Sequence, residues 1–250
     1  MHDFLIGLQF LTRIHLVKQE EWSAESFGRS VKFFPLVGLV IGIILAMIAY
    51  FLTIYFPENY NRFPRHITST LLLVLSILLT GGLHCDGFMD TMDGIFSGRS
   101  RERMLEIMKD SRVGANGVVA FVILFISKWS LLLDLSPEKL ITALFVMPII
   151  SRLGMVMGVT LFPYARPNGI GKAFAQYANK TALVIASFIT LLFVIPVGTI
   201  AVFSLFCAIL FTLLFSKYIT NVLGGLTGDV YGALTELNEV IILFVFLFST

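Results

Sequence analysis

Charge is what this chain has least of. Only 14% of its 250 residues are Asp, Glu, Lys or Arg, against about 25% in an average soluble domain. Hydrophobic residues make up 57%, and the mean hydropathy is +0.89. That composition excludes an ordinary water-soluble domain and points to an integral membrane protein. The net charge of +2 is too small to argue for a nucleic-acid partner. Cysteine is equally scarce. Cys85 and Cys207 stand far apart, which excludes a disulfide framework and a cysteine-based metal site. No small-residue cleavage site follows the first apolar stretch, and Asp3 precedes it, so a removable signal peptide is not expected. No low-complexity tract or persuasive repeat divides the chain, and a single membrane domain over residues 1–250 is the simplest reading.

Long uncharged runs are abundant. They predict an all-α, polytopic transmembrane bundle of about seven spans, near 33–56, 67–83, 113–133, 140–162, 181–195, 199–216 and 231–248. From Thr181 to Ser216 there is no charge at all; Pro196 and Gly198 mark a turn that splits this run in two. Ahead of the first span, Phe4, Leu5, Leu8, Leu11 and Ile14 recur at helical spacing, so residues 3–17 read as an amphipathic helix on the membrane surface. Basic residues gather in alternate loops: Arg13, Lys18, Arg29 and Lys32; Arg99 to Arg112; Arg166, Lys172 and Lys180; and Lys217. The opposite loops carry Arg62, Arg65 and Lys139. This bias predicts a cytoplasmic N-terminus and an outside C-terminus, with every polar cluster facing the cytoplasm. Gly38 and Gly42 form a Gly-x-x-x-Gly face that would serve a homo-oligomer or packing within one chain equally well.

The few acidic residues are therefore informative. Asp86, Asp90 and Asp93 stand at the end of the second apolar run, where a carboxylate is costly and functional by default. Spacings of four and three place them within an arc of about 60° on one helix face. Three hard oxygen donors so placed suit Mg²⁺ bound with substrate phosphates, and the interleaved Gly87 and Gly94 would let a ligand approach the backbone. The plainer alternative is that the aspartates cap helices or pair with loop arginines. A second acidic group follows in Gly224-Gly225-Leu226-Thr227-Gly228-Asp229, then Glu236 and Glu239. Its glycines and helix start offer free N–H groups to phosphate, and the plainer reading is a capped glycine turn. Candidate counter-charges are Arg152, deep in its span; Arg112 after Asp110; the loop beginning at Arg99; and Lys128, which could instead snorkel to the outer surface. His84 is a candidate ligand or base, or a capping residue.

The run from Gly81 to Gly94 (Gly-Gly-Leu-His-Cys-Asp-Gly-Phe-Met-Asp-Thr-Met-Asp-Gly) strongly resembles the signature of the cobalamin synthase (adenosylcobinamide-GDP ribazoletransferase) family. So does the following run from Phe96 to Gly114. Phe10-Leu11-Thr12-Arg13, Phe34-Pro35-Leu36-Val37-Gly38, Ser151-Arg152 and Gly224 to Asp229 extend the likeness over nearly the whole chain. One departure is that Ile14-His15 follows Arg13 where the family has proline. The resemblance implies a Mg²⁺-dependent transferase of a prokaryotic cytoplasmic membrane that joins adenosylcobinamide-GDP to α-ribazole, or its 5′-phosphate, and releases GMP. Taken with the residue pattern, this chemistry makes Asp86, Asp90 and Asp93 the expected metal ligands, Asp93, Asp229, Arg112 and Arg152 the expected catalytic residues, and Arg13, Gly82, His84, Gly87, Gly94, Arg99, Lys128, Thr227 and Glu236 the expected substrate contacts. Asp93 is the first choice of proton acceptor and Asp229 the second.

Other classes fit less well. A CDP-alcohol phosphotransferase begins its signature Asp-Gly-x-x-Ala-Arg, and here Asp86-Gly87 is followed by Phe88-Met89-Asp90. Membrane prenyltransferases need two aspartate-rich motifs of another spacing. A cation transporter would spread its acidic residues through the membrane depth.

Overall fold

The computed structural model describes residues 2–17, 23–59 and 63–249. Lys18 and Arg62, two of the residues used for orientation, lie outside the described residues. Thirteen α-helices and no strands occur among the described residues: α1 His2–Leu11, α2 Ala24–Ser30, α3 Phe34–Tyr50, α4 Phe56–Asn59, α5 Arg65–Thr80, α6 Leu83–Phe96, α7 Arg101–Ile107, α8 Ala115–Asp134, α9 Pro137–Leu161, α10 Ile170–Tyr177, α11 Lys180–Val194, α12 Thr199–Leu223 and α13 Gly228–Phe248. A short 3₁₀ turn and a π-helical stretch fuse α2, α3 and α4 into one continuous run, Ala24–Glu58. This run and α8, α9, α11, α12 and α13 are long and apolar enough to cross a membrane. A seventh crossing exists if α5 and α6, bent by 89° at Gly81–Gly82, count as one broken span. The chain is thus a helical bundle of multi-pass membrane type, and the expected turn between α11 and α12 falls at Pro196–Gly198, where Gly198 has φ +121°.

Helix α9 is the axis of the bundle. From Leu140 to Val159 it is buried on nearly every side, wrapped by α3, α11, α12 and α13. Its closest partner is α3, and the reason is the Gly-x-x-x-Gly face. A Cβ at Gly38 would overlap the Pro148 carbonyl oxygen, and one at Gly42 would overlap that of Phe145. The glycines let two backbones meet within one chain. Around this core the outward faces stay apolar: Val119, Ile123 and Ile126 on α8, Val184, Phe188 and Leu192 on α11, and Phe203, Phe206 and Leu214 on α12 are exposed. An exposed apolar band of that extent suits lipid rather than water.

The N-terminal element differs from expectation. Helix α1 stops at Leu11, and Ile6, Leu8 and Leu11 are fully buried against α2 and α3. Its apolar stripe therefore serves the protein core. The second predicted span also differs at its end. Gly81 and Gly82 adopt left-handed backbone (φ +63° and +73°) and close α5, so the aspartate-bearing α6 runs across α5 rather than extending it. Five helix starts carry their own cap: Ser23, Ser100, Ser136, Asn179 and Thr227 accept backbone N–H bonds from the first turns of α2, α7, α9, α11 and α13. Helix α8 begins at Gly114, which has no side chain to offer.

Candidate active site

The polar loops gather at one end of the bundle. Arg13 donates its backbone N–H to Leu79 at the end of α5. Arg101, on α7, lays its guanidinium over Gly224 in the turn between α12 and α13. The loop after α9 is fastened to the same turn by two backbone hydrogen bonds of 2.8 Å, Leu226 N–H to Pro163 O and Ala165 N–H to Leu226 O. The opposite end is closed by Arg65 donating to Leu135 O at 2.8 Å and Lys139 donating to Ser249 O.

Helix α6 crosses the start of α13 at very short range. A Cβ at Gly87 would meet the Asp229 backbone at 2.8 Å, and one at Gly232 would lie 3.1 Å from the His84 carbonyl. The two glycines thus set the acidic helix directly against Asp229. Asp86 is exposed and Asp90 half-buried, and neither carboxylate has a hydrogen bond or ion pair among the described residues. Asp90 lies within electrostatic reach of Asp229, Asp86 and Arg166. Asp229 receives Arg166 Nη2 at 2.5 Å and the Thr227 hydroxyl at 3.3 Å. Three carboxylates with one guanidinium leave two formal negative charges uncompensated. Two free oxygen-donor side chains on one helix face fit a hard divalent cation that draws its other ligands from substrate and water. No three His, Cys, Asp or Glu side chains among the described residues form a complete metal cage by themselves.

Asp93 plays another part. Only 7% exposed, it accepts Gly114 N–H on Oδ2 and Gly117 N–H on Oδ1, both at 2.7 Å. It is the missing cap of α8, supplied from a different helix. A Cβ at Gly117 would run into the Asp93 carboxylate and the Met89 carbonyl. Both carboxylate oxygens being engaged by a helix N-terminus, Asp93 is corrected from metal ligand and proton acceptor to a structural anchor of the site wall.

The profile of the cobalamin-5-phosphate synthase family matches residues 3–247. The chain belongs to the cobalamin-5-phosphate synthase family. An adenosylcobinamide-GDP ribazoletransferase of Desulfitobacterium hafniense (strain Y51) is 44% identical over 252 residues, covering 97% of this chain and 95% of the relative. One of Fusobacterium nucleatum subsp. nucleatum is 37% identical, covering 99% and 97%, and one of Caldanaerobacter subterraneus subsp. tengcongensis 39%, covering 95% and 94%. No solved structure matches the chain.

Several residues singled out by the cobalamin synthase signature stand apart from the open carboxylates. Arg152, 1% exposed, donates Nη1 to Glu239 at 2.6 Å and to Ser151 Oγ at 3.0 Å. Lys128 does not snorkel; it is buried and donates to Glu236 at 2.5 Å and Glu239 at 2.7 Å. Glu236 also accepts the Cys85 thiol at 3.5 Å, and His84 is buried beside these charges with Nε2 unpartnered. Lys128, Arg152, Glu236 and Glu239 thus form a neutral buried tetrad lining a narrow cleft between α3, α5, α8, α9 and α13. They face one another, so in this structure the buried charge of Arg152 is met by an acidic side chain of the protein, and Lys128 and Glu236 are paired within the same group.

Thr227 is a fully buried cap of α13. Arg112 is exposed and held by Asp110 at 2.7 Å, whose carboxyl it keeps down at about 2. Gly94 packs on Met108 at the end of α7. Arg13 lies over Gly81, Gly82 is open to approach, and Arg99 is exposed, all in the loops of the site end. Sequence reasoning counted Arg166 only as a topology signal, and it named Arg101 and the tetrad member Glu239 within larger groups without giving either a role. The setting of Arg166 between Pro163 and Pro167, a stiff loop that fixes where an arginine points, is the signal that could have found it.

Proposed function

We propose that this chain joins adenosylcobinamide-GDP to α-ribazole, or its 5′-phosphate, and releases GMP, with Mg²⁺ as cofactor. The observation that carries the reading is the pair of unpartnered carboxylates, Asp86 and Asp90, set against Asp229 in a chain of this family. Asp86 and Asp90 would hold the cation. Bound there, Mg²⁺ would neutralise the diphosphate and the charge of the departing nucleotide. The acidic helix and the arginine-bearing loops would orient the diphosphate for in-line attack by the ribose hydroxyl on the cobinamide-side phosphorus. The new P–O bond forms as the bond to the GMP oxygen breaks, and the hydroxyl proton passes to a carboxylate of the Asp86–Asp90–Asp229 group. Loop-charge bias supports a cytoplasmic location for this end, where nucleotide substrates are found.

The test is GMP release in nanodiscs from adenosylcobinamide-GDP and α-ribazole across a Mg²⁺ titration, with a CDP-alcohol lipid as control. Asp86→Asn and Asp90→Asn are each expected to lower turnover at least about 100-fold, the scale of losing one preorganised electrostatic group. Near-normal rates in both variants, or turnover of the CDP-alcohol instead, would overturn the reading.

A further inference from the structure

Arg166 pairs with Asp229 and lies within electrostatic reach of Asp90, and its environment is unusual. Its loop is locked to the α12–α13 turn by the Pro163–Leu226–Ala165 hydrogen bonds, and a Cβ at Gly225 would lie 2.6 Å from the Pro163 carbonyl oxygen. The side chain is only 10% exposed. Nη2 of the guanidinium donates to Asp229, and the Tyr164 hydroxyl lies within hydrogen-bonding reach of the same group. Its Nε is buried with no acceptor, and an unsatisfied buried donor is normally costly. Asp229 is in turn the only one of the three clustered carboxylates at the α6–α13 crossing that is neutralised among the described residues. The arginine fork is shaped for two oxygens of a phosphate, and in this state it holds one carboxylate oxygen.

We infer that Arg166 is a shared counter-ion, exchanged between Asp229 and the substrate diphosphate. In the ligand-free protein it masks Asp229 and leaves Asp86 and Asp90 as a weak, two-carboxylate cation site. When a diphosphate arrives, the guanidinium turns its fork, including the unsatisfied Nε, onto the phosphate oxygens. Asp229 is then free to complete the cation's carboxylate shell from the α13 side of the crossing. Cation and diphosphate therefore strengthen each other's binding, and by linkage the effect is reciprocal. The inference rests on the proposed Mg²⁺–diphosphate function. It adds a positioning residue and a reason for a divalent cation to bind poorly until the nucleotide is present.

The experiment measures Mn²⁺ binding by electron paramagnetic resonance, and metal-free GDP binding by calorimetry, on the full chain in nanodiscs. Arg166→Gln unmasks Asp229, so Mn²⁺ should bind the nucleotide-free protein about 5- to 10-fold tighter, within the usual range of coupling between sites, while GDP binds at least as many-fold weaker. Arg166→Gln combined with Asp229→Asn should return Mn²⁺ affinity to the wild-type level. Asp229→Asn alone releases the guanidinium and should tighten metal-free GDP binding. Arg166→Lys keeps the charge without the fork, so it should leave Mn²⁺ affinity unchanged and weaken GDP; it serves if the glutamine variant is not stably folded. Unchanged or weaker Mn²⁺ binding in Arg166→Gln, with the wild type still binding Mn²⁺ through Asp86 and Asp90, would overturn the exchange and leave the proposed function standing. Absence of Mn²⁺ binding in the wild type, together with Mg²⁺-independent GMP release, would overturn both.

Discussion

At the scale of single residues, the three aspartates of α6 have the same chemistry and different work. Asp86 faces out, Asp90 is half-covered, and Asp93 is drawn under the first turn of α8. Helical spacing puts all three on one face, and it carries no information about which neighbour will cover part of that face. A hint is nevertheless present in the sequence: Gly114 occupies a helix start where a Ser, Thr, Asp or Asn would cap, so the cap has to come from elsewhere. The division predicts opposite outcomes for two substitutions. Asp93→Ala should cost about 1–3 kcal/mol, the penalty for orphaning buried N–H groups. Asp86→Asn should change stability by no more than about 0.5 kcal/mol, as exposed positions do, while removing activity. Thermal unfolding in detergent, read beside GMP release, separates the two. Equal destabilisation by both would contradict the assignment of Asp93 as a cap.

At the scale of elements, the apolar runs were legible because span length and charge scarcity are direct consequences of the bilayer. Predicted spans at 113–133, 140–162, 181–195 and 231–248 fall on α8, α9, α11 and α13 with ends shifted by a few residues. What could not be read was how the elements turn and whom they touch. The 89° break at Gly81–Gly82 follows from two successive left-handed residues, and the Gly-Gly pair marks a turn without giving its direction. The Gly38–Gly42 face left its partner open in the same way, and the structure supplies α9 of the same chain. Gly42→Ile would force the α3 backbone away from the Phe145 carbonyl. A loss of about 1–3 kcal/mol, the usual overpacking range, is expected, seen as a lower unfolding temperature. A shift only in oligomer size, with stability kept, would instead assign the face to contacts between copies.

At the scale of the whole molecule, one end of the bundle collects the acidic helix, most of the arginines and the glycine turn, while the other carries, among the described residues, Glu58, Arg65, Asp134, Glu138 and Lys139. The charge bias of the loops predicts that the rich end faces the cytoplasm. In a background with Cys85 and Cys207 replaced, a cysteine at Arg99 should react with an impermeant maleimide only in inside-out vesicles, and one at Glu58 only in right-side-out cells. The reverse pattern would place the site outside and remove the ready supply of nucleotide on which the proposed reaction depends.

The buried tetrad has a consequence for how such a protein can change over time. Lys128, Arg152, Glu236 and Glu239 cancel one another deep in the bundle, and removing one partner of such a group typically costs about 3–5 kcal/mol, whereas removing opposite charges together can be nearly neutral. Single steps away from this arrangement lead through poorly folded intermediates. Relatives should therefore keep all four charges or lose them in balanced pairs, so that the substitution history of α8, α9 and α13 is locked together at these positions even though they lie far apart along the chain.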